Sequence, residues 1–403
     1  MADLLWPGDE RAGDVFTDAS FLAAMVRVEE VWLGALAAAG VGADDVPLAG
    51  VVGADDIAAL AAEAEAGGNP VIGLVRLLRE RSGTRWVHRG LTSQDVLDTA
   101  LVLCLRDALD AVLADVARCA GALAGLARTH CGSVMAGRTL TQHAVPITFG
   151  LKAATWLAGL ADATESLRRV RAELPVQLGG AAGTLAAVVE LAHDLDDPVE
   201  VAAGLVRSAA RELELQGGGP WHTRRTPLTS AADALVTLAD ALGHVGADVA
   251  LLSRPEIGEL REATGGGSST MPGKANPVLS ILLRRHALAA PGLAATLHVA
   301  AASFVDERPD GGWHAEWDTL RTLARRSVVA ASQAADLLAG LVVDADAMAA
   351  RVEAARERLT AEQRSMGPST GSGAGSDGPY LGANDLIIDT VLERAGRLWK
   401  DLA

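Results

Sequence analysis

The sequence predicts an all-α fold. Half of its residues are apolar but only 3% are aromatic, and alanine, leucine and valine dominate, a composition suited to closely packed helices. Apolar residues recur at three- and four-residue steps over long stretches, which is the period of a helix face. No β-rich segment and no internal repeat stands out. At 403 residues the chain can bury a large core in one or two sizeable domains.

The elements follow in order. Phe21, Met25, Val28, Trp32 and Leu36 mark an amphipathic helix within residues 15–40, with Asp18 or Ser20 as its cap and Gly40 and Gly42 at its end. Residues 55–66 read as a short helix, broken by Gly67-Gly68-Asn69-Pro70. Pro70 opens a third, with Arg76, Arg79, Glu80 and Arg81 on a polar face. From Thr92 to Thr129 the chain is nearly all helix-forming, and Leu97, Leu101, Leu105, Leu109 and Leu113 line up at i+4. So apolar a helix belongs inside a bundle. Further helices are expected over about 145–173, 194–215, 228–262 and 277–303, with Pro291 inside the last. Ser365 to Gly382 is rich in glycine, serine and proline and reads as a link before a short helix over Asn384 to Trp399.

Charge and cysteine content bound the function. A formal charge of −16 and a pI near 5.0 argue against nucleic-acid and membrane-surface partners. An anionic substrate then needs a local basic pocket. Cys104, Cys119 and Cys131 show no metal or CxxC spacing and read as buried free thiols of a reducing compartment. The start lacks a basic and apolar leader, and no uninterrupted apolar run reaches membrane-spanning length. The expectation is a soluble cytoplasmic protein.

Chemistry concentrates in three segments. The first is Gly265 to Pro277, Gly-Gly-Gly-Ser-Ser-Thr-Met-Pro-Gly-Lys-Ala-Asn-Pro. Its glycines bring backbone N–H groups close to a ligand, and its two prolines cannot continue a helix, so it is a loop between helices. Ser268 and Ser269 supply hydroxyls, Lys274 a cation and Asn276 an amide. Only two other lysines exist, at 152 and 400. The composition suits an anionic substrate and a proton transfer from which water is excluded. The second segment, His88-Arg89-Gly90-Leu91-Thr92-Ser93-Gln94-Asp95, places Thr92 and Ser93 at a helix N-terminus, which favours a carboxylate. An ordinary hydroxyl cap is the plainer reading of that stretch alone. The third, Gly137-Arg138-Thr139-Leu140-Thr141-Gln142-His143-Ala144-Val145-Pro146, sets hydroxyls, an amide and a histidine just before a helix.

Residues 267–277 resemble the signature loop of the fumarase/aspartase superfamily at every position that pattern fixes. The Thr-Ser and Gly-Arg-Thr-x-x-Gln segments resemble that superfamily's other two site segments, in the same order. The resemblance covers most of the chain, to about residue 320, and the C-terminal region looks shortened. Several stretches are most similar to the 3-carboxy-cis,cis-muconate cycloisomerases, above all Gly311-Gly312-Trp313-His314-Ala315-Glu316-Trp317, which by itself reads as a turn with tryptophans in the core.

The resemblance implies a three-part subunit: an N-terminal helical domain over 1–87, a central long-helix bundle over 88–335, and a short helical region over 336–403. It implies a homotetramer whose active sites are each shared by three subunits. The implied reaction moves a proton at a carbon next to a carboxylate and uses neither cofactor nor metal. In a cycloisomerase, a substrate carboxylate adds to a C=C bond to make a lactone. The resemblance makes Ser268 the proton-transfer residue and His143 a carboxylate ligand or second acid/base group. It places His88, Arg89, Thr92, Ser93, Arg138, Thr141, Gln142, Ser269, Met271, Lys274 and Asn276 around a small polycarboxylate substrate. For the two arginines a plain salt bridge is the commoner fate, and for His130, His193, His244 and His298 a structural role is.

Four positions depart from the pattern. Leu140 stands where fumarases and adenylosuccinate lyases have a histidine, which fits the cycloisomerase branch. Gly273 and Ala275 replace a histidine and an arginine usual in that branch, and Asp306 stands where histidine is common. These leave open a lyase that eliminates a nitrogen group from a succinyl-type substrate with release of fumarate, and a catalytically silent helical scaffold.

Overall fold

A computed structural model describes residues 3–267, 270–271, 273–366 and 380–400. The fold is all-α: 65% of it is helical, with fourteen α-helices and only small sheets among the described residues. In order these are α1 (Asp18–Ala38), α2 (Ile57–Gly67), α3 (Val71–Ser82), α4 (Ser93–Thr129), β1 (Val134–Thr139), β2 (Gln142–Thr148), α5 (Phe149–Glu173), α6 (Ala186–Leu191), α7 (Pro198–Glu212) and α8 (Thr226–Leu252). There follow β3 (Leu260–Glu262), α9 (Val278–Ala302), α10 (Gly311–Ala339), β4 (Leu341–Val343), α11 (Ala345–Ala354), α12 (Arg356–Leu359), α13 (Ala361–Ser365) and α14 (Asn384–Leu398).

Packing divides the chain into two compact units, Met1–Ala111 with Ser166–Val236 and Ala290–Val329, and Val112–Glu165 with Thr237–Ala289 and Ala330–Ala403. The points of division fall inside α4, α5, α8, α9 and α10. In the first unit Trp32, Leu36, Leu74, Leu78, Leu97, Leu105, Leu109 and Trp221 are buried. In the second, Leu123, Phe149, Leu157, Val249 and Leu283 are buried, and Ala127, Ala153, Ala154 and Ile388 form a cluster that brings α14 onto α4 and α5. The i+4 leucine row of α4 holds as far as Leu109; Leu113 is half-buried and Val112 takes the core position. By length and hydropathy α8 and α9 would each pass for a membrane span, but half of α8's most apolar window is buried within the protein.

Five readings of the sequence need correction. Residues 134–148 form an antiparallel hairpin, and α5 begins only at Phe149. Val145, Ile147 and Thr148 are β-branched and Pro146 cannot donate, which suits a short ladder rather than a helix start. The hairpin escaped notice because its two turn residues, Leu140 and Thr141, are neither glycine nor asparagine, yet both have positive φ (49° and 69°). The helix expected to 262 stops at Leu252, where Arg254-Pro255 turns the chain toward β3, paired with β4. Gly311 to Trp317 is the start of α10, whose first free N–H at Trp313 is met by the Asp310 carbonyl. The cap of α1 is Thr17, whose hydroxyl accepts from the Ser20 N–H at 3.1 Å, so neither Asp18 nor Ser20 fills that place. Cys131 is exposed, whereas Cys104 and Cys119 are buried, with burial pushing both thiols up to about 12.

Candidate active site

The first unit builds a tight turn ahead of α4. Thr92 ends the turn and its N–H donates to Asp95 Oδ2 at 3.0 Å, one arm of a capping box. Asp95 is fully buried, and its other donors come from a distant stretch. The Gly179 and Gly180 N–H groups donate to it at 2.9 and 2.8 Å, and the Gln177 amide at 3.0 Å. Gly179 has no room for a side chain: a Cβ would stand 2.7 Å from His222 and Pro220. Gln177 in turn accepts from the Trp221 N–H through Oε1 and sets its Nε2 3.0 Å from His222 Nε2. Its Nε2 is therefore the donor in both contacts, and His222 accepts through Nε2. Thr92 and Ser93 thus sit on a fixed base.

Directly along α4 lies a buried charge cluster. Arg225 is held between Asp98 at 2.6 Å and Glu316 at 2.7 Å, all three side chains with no exposure. Trp313 Nε1 donates to Asp98 at 2.8 Å, which gives the first tryptophan of α10 a polar task. Two carboxylates share one guanidinium here. Burial pushes the Glu316 carboxyl up to about 7, against the pull of Arg225 and with the nearby Asp98 charge adding to the rise.

The second unit carries the hairpin and the glycine-rich loop. Arg138 and His143 are cross-strand partners on one hairpin face, and Thr139 and Gln142 are partners on the other. Gly137 sits at a bulge where a Cβ would be 2.5 Å from the Val145 carbonyl. Arg138 makes a two-pronged ion pair with the fully buried Glu259, at 2.8 and 3.1 Å, and Arg351 approaches the same carboxylate at 3.0 Å. Its guanidinium is spent on structure, which is the commoner fate of an arginine. Thr141 and Gln142 are exposed at the turn, joined by a 3.3 Å hydrogen bond, and His143 is half-buried.

Glu259 leads into β3 and the loop. Glu262, at the end of β3, accepts from the Leu279 and Ser280 N–H groups and the Ser280 hydroxyl at 3.1, 2.8 and 2.6 Å. A carboxylate at the N-terminus of α9 meets both free N–H groups and the helix dipole. Inside this clasp, Gly266 and Asn276 exchange two backbone hydrogen bonds at 2.9 and 2.8 Å. A Cβ on Gly266 would stand 2.2 Å from Val278, so glycine is required at this neck. Asn276 spends its amide on the Gly267 carbonyl at 3.3 Å. Beyond the neck Met271 and Lys274 are exposed, and the Lys274 amine has no ion pair among the described residues. Lys152, by contrast, is paired at 3.1 Å with Asp248.

The structure therefore groups His88, Arg89, Thr92 and Ser93 in one turn, and Arg138, Thr141, Gln142 and His143 on one hairpin tied through Arg138–Glu259 to the strand that leads into the loop. Met271, Lys274 and Asn276 share that loop. Ser268 and Ser269 lie outside the described residues. Sequence reasoning missed Asp95 as an anchor, Glu262, Glu259 and Glu29, whose Oε1 lies 2.6 Å from His88 Nδ1. Asp95 had a local signal, its place three residues after Thr92. Glu29 had one in its place on the apolar stripe of α1, and Glu259 and Glu262 had none, since their partners are remote in sequence. His314, which reads from sequence alone as neither clearly structural nor clearly catalytic, reaches the Gly68 carbonyl at 2.7 Å through Nε2. Among the described residues no group of three His, Cys, Asp or Glu side chains is placed to hold a metal ion.

Comparison with known proteins places this geometry. A family model described as Lyase matches residues 58–292. The chain is 44% identical over 361 residues to the nitrosuccinate lyase of Streptomyces davaonensis, a match spanning 86% of this chain and 76% of that protein. It is 43% identical over 354 residues to the 3-carboxy-cis,cis-muconate cycloisomerase of Bradyrhizobium diazoefficiens, spanning 85% and 75%. Among solved structures, the 3-carboxy-cis,cis-muconate lactonizing enzyme from Pseudomonas putida matches with a TM-score of 0.81 and 32% identity over 98% of both chains.

Proposed function

The chain belongs to the fumarase/aspartase superfamily of lyases and is an enzyme of that type, and from this premise we propose that it converts 3-carboxy-cis,cis-muconate to a carboxymuconolactone in aromatic-acid breakdown. The observation that carries the reading is the loop: clasped at its base by Glu262 and the Gly266–Asn276 pair, it presents Lys274 exposed and, among the described residues, without an ion pair. The cycloisomerase relatives, and a lactonizing enzyme matched over nearly its whole length, favour this substrate.

In the proposed reaction one substrate carboxylate oxygen forms a C–O bond to an alkene carbon. The π electrons move to the neighbouring carbon, next to a second carboxylate, which becomes a doubly charged aci-carboxylate. A proton delivered to that carbon completes the lactone, so the ionised substrate takes up one proton per turnover. Lys274 and the loop N–H groups stabilise the developing charge, an effect that single donors supply at about 3–4 kcal/mol. Ser268 delivers the proton, and its alkoxide is stabilised by the same N–H groups. His143, Thr141 and Gln142 on the hairpin and Thr92 and Ser93 at the start of α4 bind the substrate carboxylates, and the three segments come from different subunits of a cytoplasmic homotetramer.

A second reading is a lyase that eliminates a nitrogen group from a succinyl-type substrate. It is favoured by the 44% identity to a nitrosuccinate lyase and by a shortage of cations for three carboxylates: Gly273 and Ala275 carry none, and Arg138 is bound to Glu259. Parallel kinetics with 3-carboxy-cis,cis-muconate and nitrosuccinate separate the two. The proposal expects kcat/KM at least ~10²-fold higher for the muconate; fumarate release from nitrosuccinate as the faster reaction would replace it with the second reading.

A further inference from the structure

We propose that Glu29 is a positioning residue for this reaction, one that pairs through Nδ1 with the His88 imidazolium and leaves its Nε2–H turned toward a carboxylate of the substrate. The inference rests on the reading that residues 88–93 meet the substrate.

Glu29 is an anomaly in the sequence of α1. It lies among Met25, Val28, Trp32 and Leu36 on the buried side of the helix and has no exposure at all. An ionisable group is retained in such a place only with a partner. Its partner is His88, with Nδ1 at 2.6 Å from Oε1, while Oε2 is buried and has no hydrogen bond among the described residues. One turn further on, the Trp32 indole N–H donates to the Arg89 carbonyl at 2.7 Å. From α3, Arg79 donates to the Val87 carbonyl at 3.2 and 2.8 Å. Three consecutive residues, 87, 88 and 89, are thus each gripped by a side chain from another element.

The grip holds an unfavourable backbone. His88 has φ of 65°, a region costly for a side chain with a Cβ, and Gly90 follows at 83°. At Gly90 a Cβ would stand 2.6 Å from Val188 of α6. With Nδ1 committed to Glu29, the other ring nitrogen has no hydrogen bond among the described residues. The side chain keeps 17% of its surface exposed. While the Glu29 carboxylate accepts from Nδ1–H, a neutral His88 ring has only an acceptor at Nε2, whereas the imidazolium donates through both nitrogens. Of the charged groups next to this segment, Arg79 from α3 and Asp95 from α4 are bonded to its backbone at Val87 and Thr92.

Glu29→Gln keeps the size and a carbonyl acceptor but removes the charge. The full-length protein is examined by long-range ¹H–¹⁵N NMR, with His88→Gln identifying the His88 signals. With tricarballylate bound at neutral pH, both His88 ring nitrogens should read as protonated in the wild type, and Glu29→Gln should lose that signature. Binding of tricarballylate, a saturated tricarboxylate, is read by calorimetry alongside turnover, so that failure of the reaction proposed above does not decide this test. Its Kd and the substrate KM should rise ~10-fold while kcat stays within ~3-fold. In the His88→Gln background, Glu29→Gln should change neither. An unchanged signature in Glu29→Gln, or an equal effect with and without His88, overturns the proposal. A lost signature with unchanged tricarballylate affinity in both variants also overturns it, because the turn then does not meet the substrate.

Discussion

The turn before α4 and the loop before α9 are both rich in hydroxyls and glycines, yet they are built in opposite ways. The turn is fastened from below: Asp95 collects N–H donors from Thr92, Gly179, Gly180 and Gln177 in a site without solvent. The loop is fastened at its neck, and past Gly266 and Asn276 its described residues are exposed. In the turn the buried polar atoms serve position. In the loop Lys274 is exposed and has no ion pair among the described residues, so substitutions in the two regions should separate stability from activity.

The largest expected effect is on the fastened side. Asp95→Ala strands several buried N–H groups at once and should cost about 3–5 kcal/mol of stability, read from urea unfolding at neutral pH. Lys274→Met addresses the other side. It should lower kcat/KM by roughly 10²–10³-fold while the unfolding free energy stays within about 0.5 kcal/mol. A comparable loss of stability in Lys274→Met would erase the contrast.

The Asp98–Arg225–Glu316 cluster sharpens it through pH. A carboxyl whose folded value, about 7, lies above its ordinary 4.5 holds its proton more tightly in the folded state. That contribution is fully present below the ordinary value and is lost as pH rises through about 7. Stability should therefore decline by roughly 2–3 kcal/mol between pH 4.5 and 8 on this account, and Glu316→Gln should flatten the decline. The smallest effect is at the hairpin tip. Leu140 is 97% exposed with φ of 49°, so Leu140→Asn relieves an αL penalty and should raise the unfolding free energy by about 0.5–1 kcal/mol.

The long helices were legible because their burial leaves a periodic record: the row from Leu97 to Leu109 gives α4 almost to the residue. The loop was legible because its chemistry is contiguous, from Gly265 to Pro277. The hairpin was not, since Leu140 and Thr141 form its turn without the residues that usually announce one. Nor was α10, long as it is, where Gly311-Gly312 imitates a turn and the helix start is fixed by Trp313 reaching Asp98, more than two hundred residues away. Glu259 and Glu262 look like surface acids in the sequence, and Glu29 interrupts the apolar stripe of α1. Each acquires its task only when the fold brings a histidine, an arginine or a helix N-terminus to it.

The central claim is that the clasped loop performs proton transfer for lactone formation. Its most direct test follows loss of conjugated-diene absorbance when the purified protein meets 3-carboxy-cis,cis-muconate, beside Ser268→Ala. Rapid loss in the wild type, reduced at least ~10³-fold in the variant, is the predicted result. Equal rates in the two proteins, or an unchanged diene with a correctly folded wild type, would contradict it.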